Sequence, residues 1–132
     1  MAIHDLQSML NSLAPILHEG VYVFATWPDS RPFDPGLIVA SIREADGLSV
    51  VLAETDAEKL GLAGEFRAAW ITLDVHSALS AVGLTRAFSA ALAKAGISCN
   101  VVAGIRHDHL FVPIDQAESA MAALRQLQAD SK

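Results

Sequence analysis

RAAWITLDVHSALSAVGLTRAFSAALAKAGISCNVVAGIRHDHLFVP, residues 67–113, reads as a strand, a helix and two further strands in direct succession. Alternation in WITLDV places Ile71, Leu73 and Val75 on one face and Trp70, Thr72, Asp74 and His76 on the other. The period then lengthens: Leu84, Phe88, Ala91, Leu92 and Ala95 form one helical stripe, and Gly96 stands where a left-handed residue closes a helix. Residues 99–103 and 109–113 are two strands around a turn at Gly104.

Toward the C-terminus, Asp115 and Glu118 have the spacing of a capping box, and Ala117, Met121, Leu124 and Leu127 or Gln128 follow the inner and border positions of a last helix. Toward the N-terminus, Leu6, Leu10, Leu13 and Leu17 predict a helix over residues 5–17, capped by Asp5 and weakened in its last turn by Pro15. VYVFATW, residues 21–27, predicts a strand, and PDSRPFDPG, residues 28–36, a loop. Residues 37–53 predict a hairpin around READG, and Thr55 with Glu58 suggests a capping box for a short helix near Lys59, ended by Gly61 or Gly64. Two β-β-α units, at 37–62 and 98–127, are thus each preceded by a strand. This weak internal repeat predicts an α+β, ferredoxin-like sandwich, an antiparallel sheet with helices on one face. Strands such as 21–25 and 50–53 are apolar on both faces, so the face without helices is expected to meet a second sheet or another subunit.

Composition narrows the possible functions. With 52% apolar and 18% charged residues in 132, the chain has enough material for one core or two small modules. No apolar run approaches the ~18 residues that a membrane span needs, and the start MAIHDLQSML lacks the pattern of a secretory signal. A cytoplasmic location is expected, and the lone Cys99 agrees with it. Fifteen acidic against nine basic residues, without a basic cluster, argue against nucleic acid and anionic membrane as partners. No phosphate-binding loop, dinucleotide Gly-rich turn, paired-Cys motif or zinc-protease helix occurs, so no cofactor is implied.

Residues 70–113, supported by YVFAT at 22–26 and DGLSVVLAE at 46–54, resemble ACT domains, the small regulatory modules of amino-acid metabolism. The strings VHSALSAVGLT and GISCNVV carry a narrower similarity to a group of short, uncharacterised bacterial ACT-like proteins. The resemblance implies two tandem ACT-like halves, residues 1–65 and 66–132, with the ferredoxin-like fold. It implies a non-catalytic regulatory module that binds a small ligand, in many relatives an amino acid, often at an interface between modules. A homodimer is the expected assembly. On the family's pattern the ligand lies between the first strand and first helix of a module, here the link His76, Ser77, Ser80, Val82, Gly83 and Leu84, with Asn100 on the adjacent strand. The usual strand-helix-strand-strand-helix-strand order is incomplete in both halves: no helix follows residues 21–27, and no strand follows the final helix.

The link has chemistry of its own. A helix starting near residues 82–85 presents unpaired amides that suit a carboxylate, Gly83 would allow close approach to the backbone, and Asp74 or Asp108 would receive an ammonium group. The plainer reading has Ser80 capping the helix and Gly83 turning the chain. His107 and His109 share one face of a strand and Asp108 takes the other. If His76 joined them, zinc and a metal-assisted hydrolase would be the enzymatic alternative; a purely structural protein-interaction module is the third reading. Asp74, His76 and Ser77 lack the geometry of a catalytic triad. Cys99 reads as a buried structural thiol. Trp70, Phe111 and Tyr22 suit either a subunit contact or core packing, and Arg31 and Asp34 either a closing loop or a solvated turn.

Overall fold

The leucine repeat that predicts a helix over residues 5–17 is cut short by Pro15. Proline lacks an amide hydrogen and disfavours the α conformation in the residue before it. In the computed structural model, which describes residues 5–75 and 77–131, helix α1 therefore spans only Leu6–Ser12, and Leu13 is already extended. Asp5 caps α1 as expected, accepting from the Ser8 amide at 2.9 Å. Pro15–Leu17 is strand β1, not helix.

The remaining elements follow in the order β2 (Tyr22–Trp27), β3 (Ile38–Glu44), β4 (Gly47–Ala53), α2 (Glu54–Leu60), β5 (Glu65–Leu73), α3 (Leu84–Lys94), β6 (Asn100–Ala103), β7 (Asp108–Pro113) and α4 (Ala117–Asp130). They divide into two compact units, Glu19–Ala68 and Met1–His18 with Ala69–Lys132. Both are α+β, ferredoxin-like units.

In the unit Glu19–Ala68 the strands lie in the order β3, β4, β2 and the start of β5. This is the strand order of the ferredoxin-like motif, with residues 28–37 in place of its first helix. Trp27 anchors that loop by donating its indole N–H to the Arg31 carbonyl at 3.0 Å, and Arg31 reaches the Leu60 carbonyl at 3.4 Å. Asp34 turns the loop by accepting from the Gly36 amide at 3.0 Å. Helix α2 packs Ala57 against Val23, Trp27, Val50 and Leu52. The expected Thr55–Glu58 capping box is absent: the helix starts two residues earlier, at Glu54 with Ala53 as its N-cap, and the Glu54 amide is taken by the Val21 carbonyl at 2.9 Å. Gly61, at φ 70°, closes the helix as expected.

In the other unit β1 pairs antiparallel with β5, Leu17 opposite Ile71 and Pro15 opposite Leu73. The order β1, β5, β7, β6 completes a second ferredoxin-like sheet. The strand missing after the last helix is thus supplied by residues 15–17, which precede everything else in the unit's sheet. Helices α1, α3 and α4 form the layer above it. Leu13, Ile71, Leu73, Phe88, Leu92, Leu110, Val112 and Leu124 are fully buried in the shared core, as the period-two and helical stripes predict. Helix α3 ends at Gly96, φ 77°, the expected left-handed position. Helix α4 is entered through a 3-10 turn, Ile114–Gln116, that holds Asp115, so the anticipated Asp115 cap is not formed.

Candidate functional site

The link between β5 and α3 ends at Gly83, the N-cap of α3, with φ 104° and no side-chain cap. Ser80 is exposed and does not cap the helix. The amides that open α3 have no acceptor within the helix. The space beside Gly83 is taken: a Cβ there would lie 3.0 Å from the Leu6 side chain. The residue therefore allows α1 to approach as well as turning the chain.

A cleft of ≈ 90 Å³ opens at this end of α3. Ser77, Leu84 and Thr85 form one side, while Ala103, Gly104 and Asp108 form the other. Of the residues anticipated for a ligand, Ser77 and Leu84 line the cleft. Ser80, Val82, Gly83 and Asn100 do not; Val82 is 83% exposed, and Asn100 is exposed at the start of β6. His76 lies outside the described residues. Thr85 stands in the helix start that the sequence already marks, whereas Ala103 and Gly104 escape sequence reasoning because they reach the cleft only through the pairing of β6 with β7, where Ala103 faces Asp108. The available signal was Thr85, a polar residue in the first turn of an apolar-striped helix.

Asp108 is the cleft's carboxylate. Burial pushes it above its ordinary range, against a smaller opposing pull from His109. Asp74, the other candidate, lies 3.4 Å from His107 Nε2. His109 is held by other partners: its Nδ1 lies 3.1 Å from the Trp70 indole nitrogen and 3.0 Å from the Thr72 hydroxyl. Among the described residues no group of three His, Cys, Asp or Glu side chains could hold a metal ion. Phe111 is fully buried within the chain, so it is core and not a surface awaiting a subunit; Trp70 stacks on His18 at 3.6 Å between ring centres. Cys99 is half-buried, and desolvation raises its thiol to about 11, the inert behaviour expected of it. Among the described residues no helix is long and apolar enough to cross a membrane.

Two ferredoxin-like units in tandem, each with helices over one face of its sheet, define a class of regulatory module. The chain belongs to the ACT domain family, whose profiles match residues 1–69 and 65–126. Among solved structures, a Vibrio cholerae protein of unknown function, described as a possible transport protein, is 42% identical, with a TM-score of 0.83 over 93% of this chain and 95% of that one. An Agrobacterium tumefaciens protein is 21% identical, with a TM-score of 0.71 over 88% of this chain and 89% of its own. The ligand-free regulatory subunit of aspartate kinase from Thermus thermophilus shares the fold at 13% identity, with a TM-score of 0.63 over 88% of this chain and 97% of that subunit. No curated protein matches the sequence. The fold is that of non-catalytic, small-molecule-binding regulatory domains.

Proposed function

We propose that the cleft between the start of α3 and Asp108 binds an amino acid or a similarly compact zwitterion, and that occupancy has a regulatory and not a catalytic consequence. One observation carries this reading: donors without helical acceptors and a half-buried carboxylate share the walls of one small cleft. A ligand carboxylate would accept from the Leu84 and Thr85 amides and the Ser77 hydroxyl. Its ammonium group would pair with Asp108 and offset the cost of holding that carboxylate out of water. At ≈ 90 Å³ the cleft is well below the roughly 300–1,000 Å³ of sites for drug-sized ligands, which favours a small molecule with an apolar part no larger than the surrounding alanines and Gly104 admit. The same reading takes the protein as a homodimer, with ligand favouring one arrangement of subunits; exposed Val101 and Ile105 near the β6 edge support an apolar contact there.

Thermal denaturation with each of the twenty amino acids at millimolar concentration tests the proposal. Selective stabilisation by one or a few compact amino acids is expected, about 2.7 kcal/mol when ligand stands at about a hundred times its dissociation constant. Asp108→Asn should remove the response while the unliganded protein still melts cooperatively. No stabilisation by any amino acid would sink the reading.

A further inference from the structure

We propose that His109, Trp70, Thr72 and His18 form an acid-sensitive latch that fastens the N-terminal strand β1 across β5 and β7, and that it opens when His109 takes up a second proton.

The hydrogen-bond inventory leaves one arrangement. An indole nitrogen only donates, so the Trp70 Nε1–H, 3.1 Å from His109 Nδ1, requires a lone pair on that imidazole nitrogen. The ring's proton is therefore on Nε2. The Thr72 hydroxyl, 3.0 Å from the same Nδ1, must donate to it as well, because two lone pairs would otherwise oppose each other. The Thr72 oxygen then accepts from His18 Nε2–H at 2.7 Å. The chain of bonds runs from His18 at the end of β1, through Thr72 on β5, to His109 on β7. The His18 ring lies flat on Trp70, 3.6 Å away and 10° from parallel, and the His18 amide donates to the Trp70 carbonyl at 2.9 Å.

A proton on His109 Nδ1 sets a donor against the Trp70 N–H, and that bond is lost, whereas the Thr72 hydroxyl can rotate so that its oxygen accepts from the new N–H; the break falls at Trp70, the ring on which His18 lies. Protonating His18 has no such effect. Its Nε2 already donates, and an imidazolium over an indole face is a favourable pair. His109 is thus the sensor.

Its surroundings set the direction. Burial, His107 and His18 oppose its charging, while Asp108 favours it; His107 is itself engaged with Asp74. Strand β6 presents Val102 opposite His109 and adds no charge. His76 and residues 1–4 lie outside the described set. Burial also disfavours charge on His18. Both rings are held below the ordinary 6.5, so the stability they contribute is fully present above that pH and is lost as pH falls through the folded values.

Heteronuclear NMR on the whole chain tests the latch without any ligand. At pH 7.5, His109 should show an unprotonated Nδ1. On acidification its ring should titrate with a midpoint below 6.5, and the Trp70 indole N–H should shift with that midpoint. The amides of Ile16 and His18, which face β5, should lose exchange protection, measured relative to intrinsic rates, over the same range. His109→Gln, which can offer an acceptor oxygen to the indole but cannot titrate, should abolish the coupled change. A protonated Nδ1 at pH 7.5, a midpoint at or above 6.5, or an unaltered pH response in His109→Gln would each overturn the proposal. Should that variant fail to fold, the tautomer and midpoint of the unaltered chain decide.

Discussion

Gly64 sits where the chain passes over Val23 with no room for a side chain: a Cβ there would lie 2.8 Å from a Val23 methyl carbon and 2.9 Å from its Cβ. Branched at Cβ and buried, Val23 has little rotamer freedom with which to yield. Gly64→Ala should therefore cost about 1–3 kcal/mol by overpacking, read as a lower urea midpoint at unchanged slope. Phe88 marks the opposite case. Completely buried on α3, it should cost about 3–5 kcal/mol when truncated to Ala, because the core cannot close over so large a void. Cys99 supplies a prediction in alkali. Its thiol is raised from 9.0 to about 11 by burial, so the neutral form is favoured by the fold. That contribution is intact below pH 9.0 and declines as pH rises from there toward 11, where the unfolded chain ionises first. Stability against urea should fall across that window in the parent and fall less in Cys99→Ala.

At the level of elements, legibility followed the length of the periodic signal. Residues 70–75 and 84–95 carry the plainest alternation and stripe, and β5 and α3 appear there, although β5 starts earlier, at Glu65, and stops at Leu73, short of Asp74 and Val75. The β3–β4 hairpin and the loop read over residues 28–36 are equally plain, since proline and glycine act locally, and the loop runs one residue further, to the start of β3 at Ile38. Capping was read less well. Asp5 does cap α1, yet Thr55, Ser80 and Asp115 do not cap the helices they precede or begin, because an earlier start bonded to the Val21 carbonyl, a left-handed glycine and a 3-10 turn occupy those places. Strand β1 was hidden inside a leucine repeat. Three residues cannot display a strand period, and only pairing with Ile71, Thr72 and Leu73 makes them one. For the same reason the cleft was half visible: Ser77 and Leu84 belong to the link, whereas Ala103 and Gly104 arrive by strand pairing. Leu13, fully buried just before β1, tests how firmly this segment is held. Leu13→Ala should cost about 2–5 kcal/mol and lower the melting temperature accordingly.

At the level of the whole molecule, the linear division into residues 1–65 and 66–132 differs from the division in space. Residues Glu19–Ala68 form one unit, inserted within the chain of the other, and the N-terminal eighteen residues belong with the C-terminal segment. Residues 66–132 expressed alone would lack β1 and α1 and should unfold without cooperativity. The flanking segments should instead fold once rejoined. His18 donates to the Trp70 carbonyl at 2.9 Å, so a two-residue Asn-Gly turn in place of residues 19–69 would join these partners and convert β1 and the rest of β5 into an ordinary hairpin. That shortened chain should show a single sigmoidal urea transition by circular dichroism. A featureless, non-cooperative signal would refute the division.

The insertion also sets an order of events during translation. Residues 15–17 leave the ribosome before their partners at 71–73, with the whole inserted unit between them. At about 5–20 residues per second, that leaves the early strand waiting roughly 3–12 s, while the intervening unit can already be folding. Throughout this wait Ile16 and Leu17 are bare, and a nascent-chain chaperone that captures short apolar segments would find its natural target there.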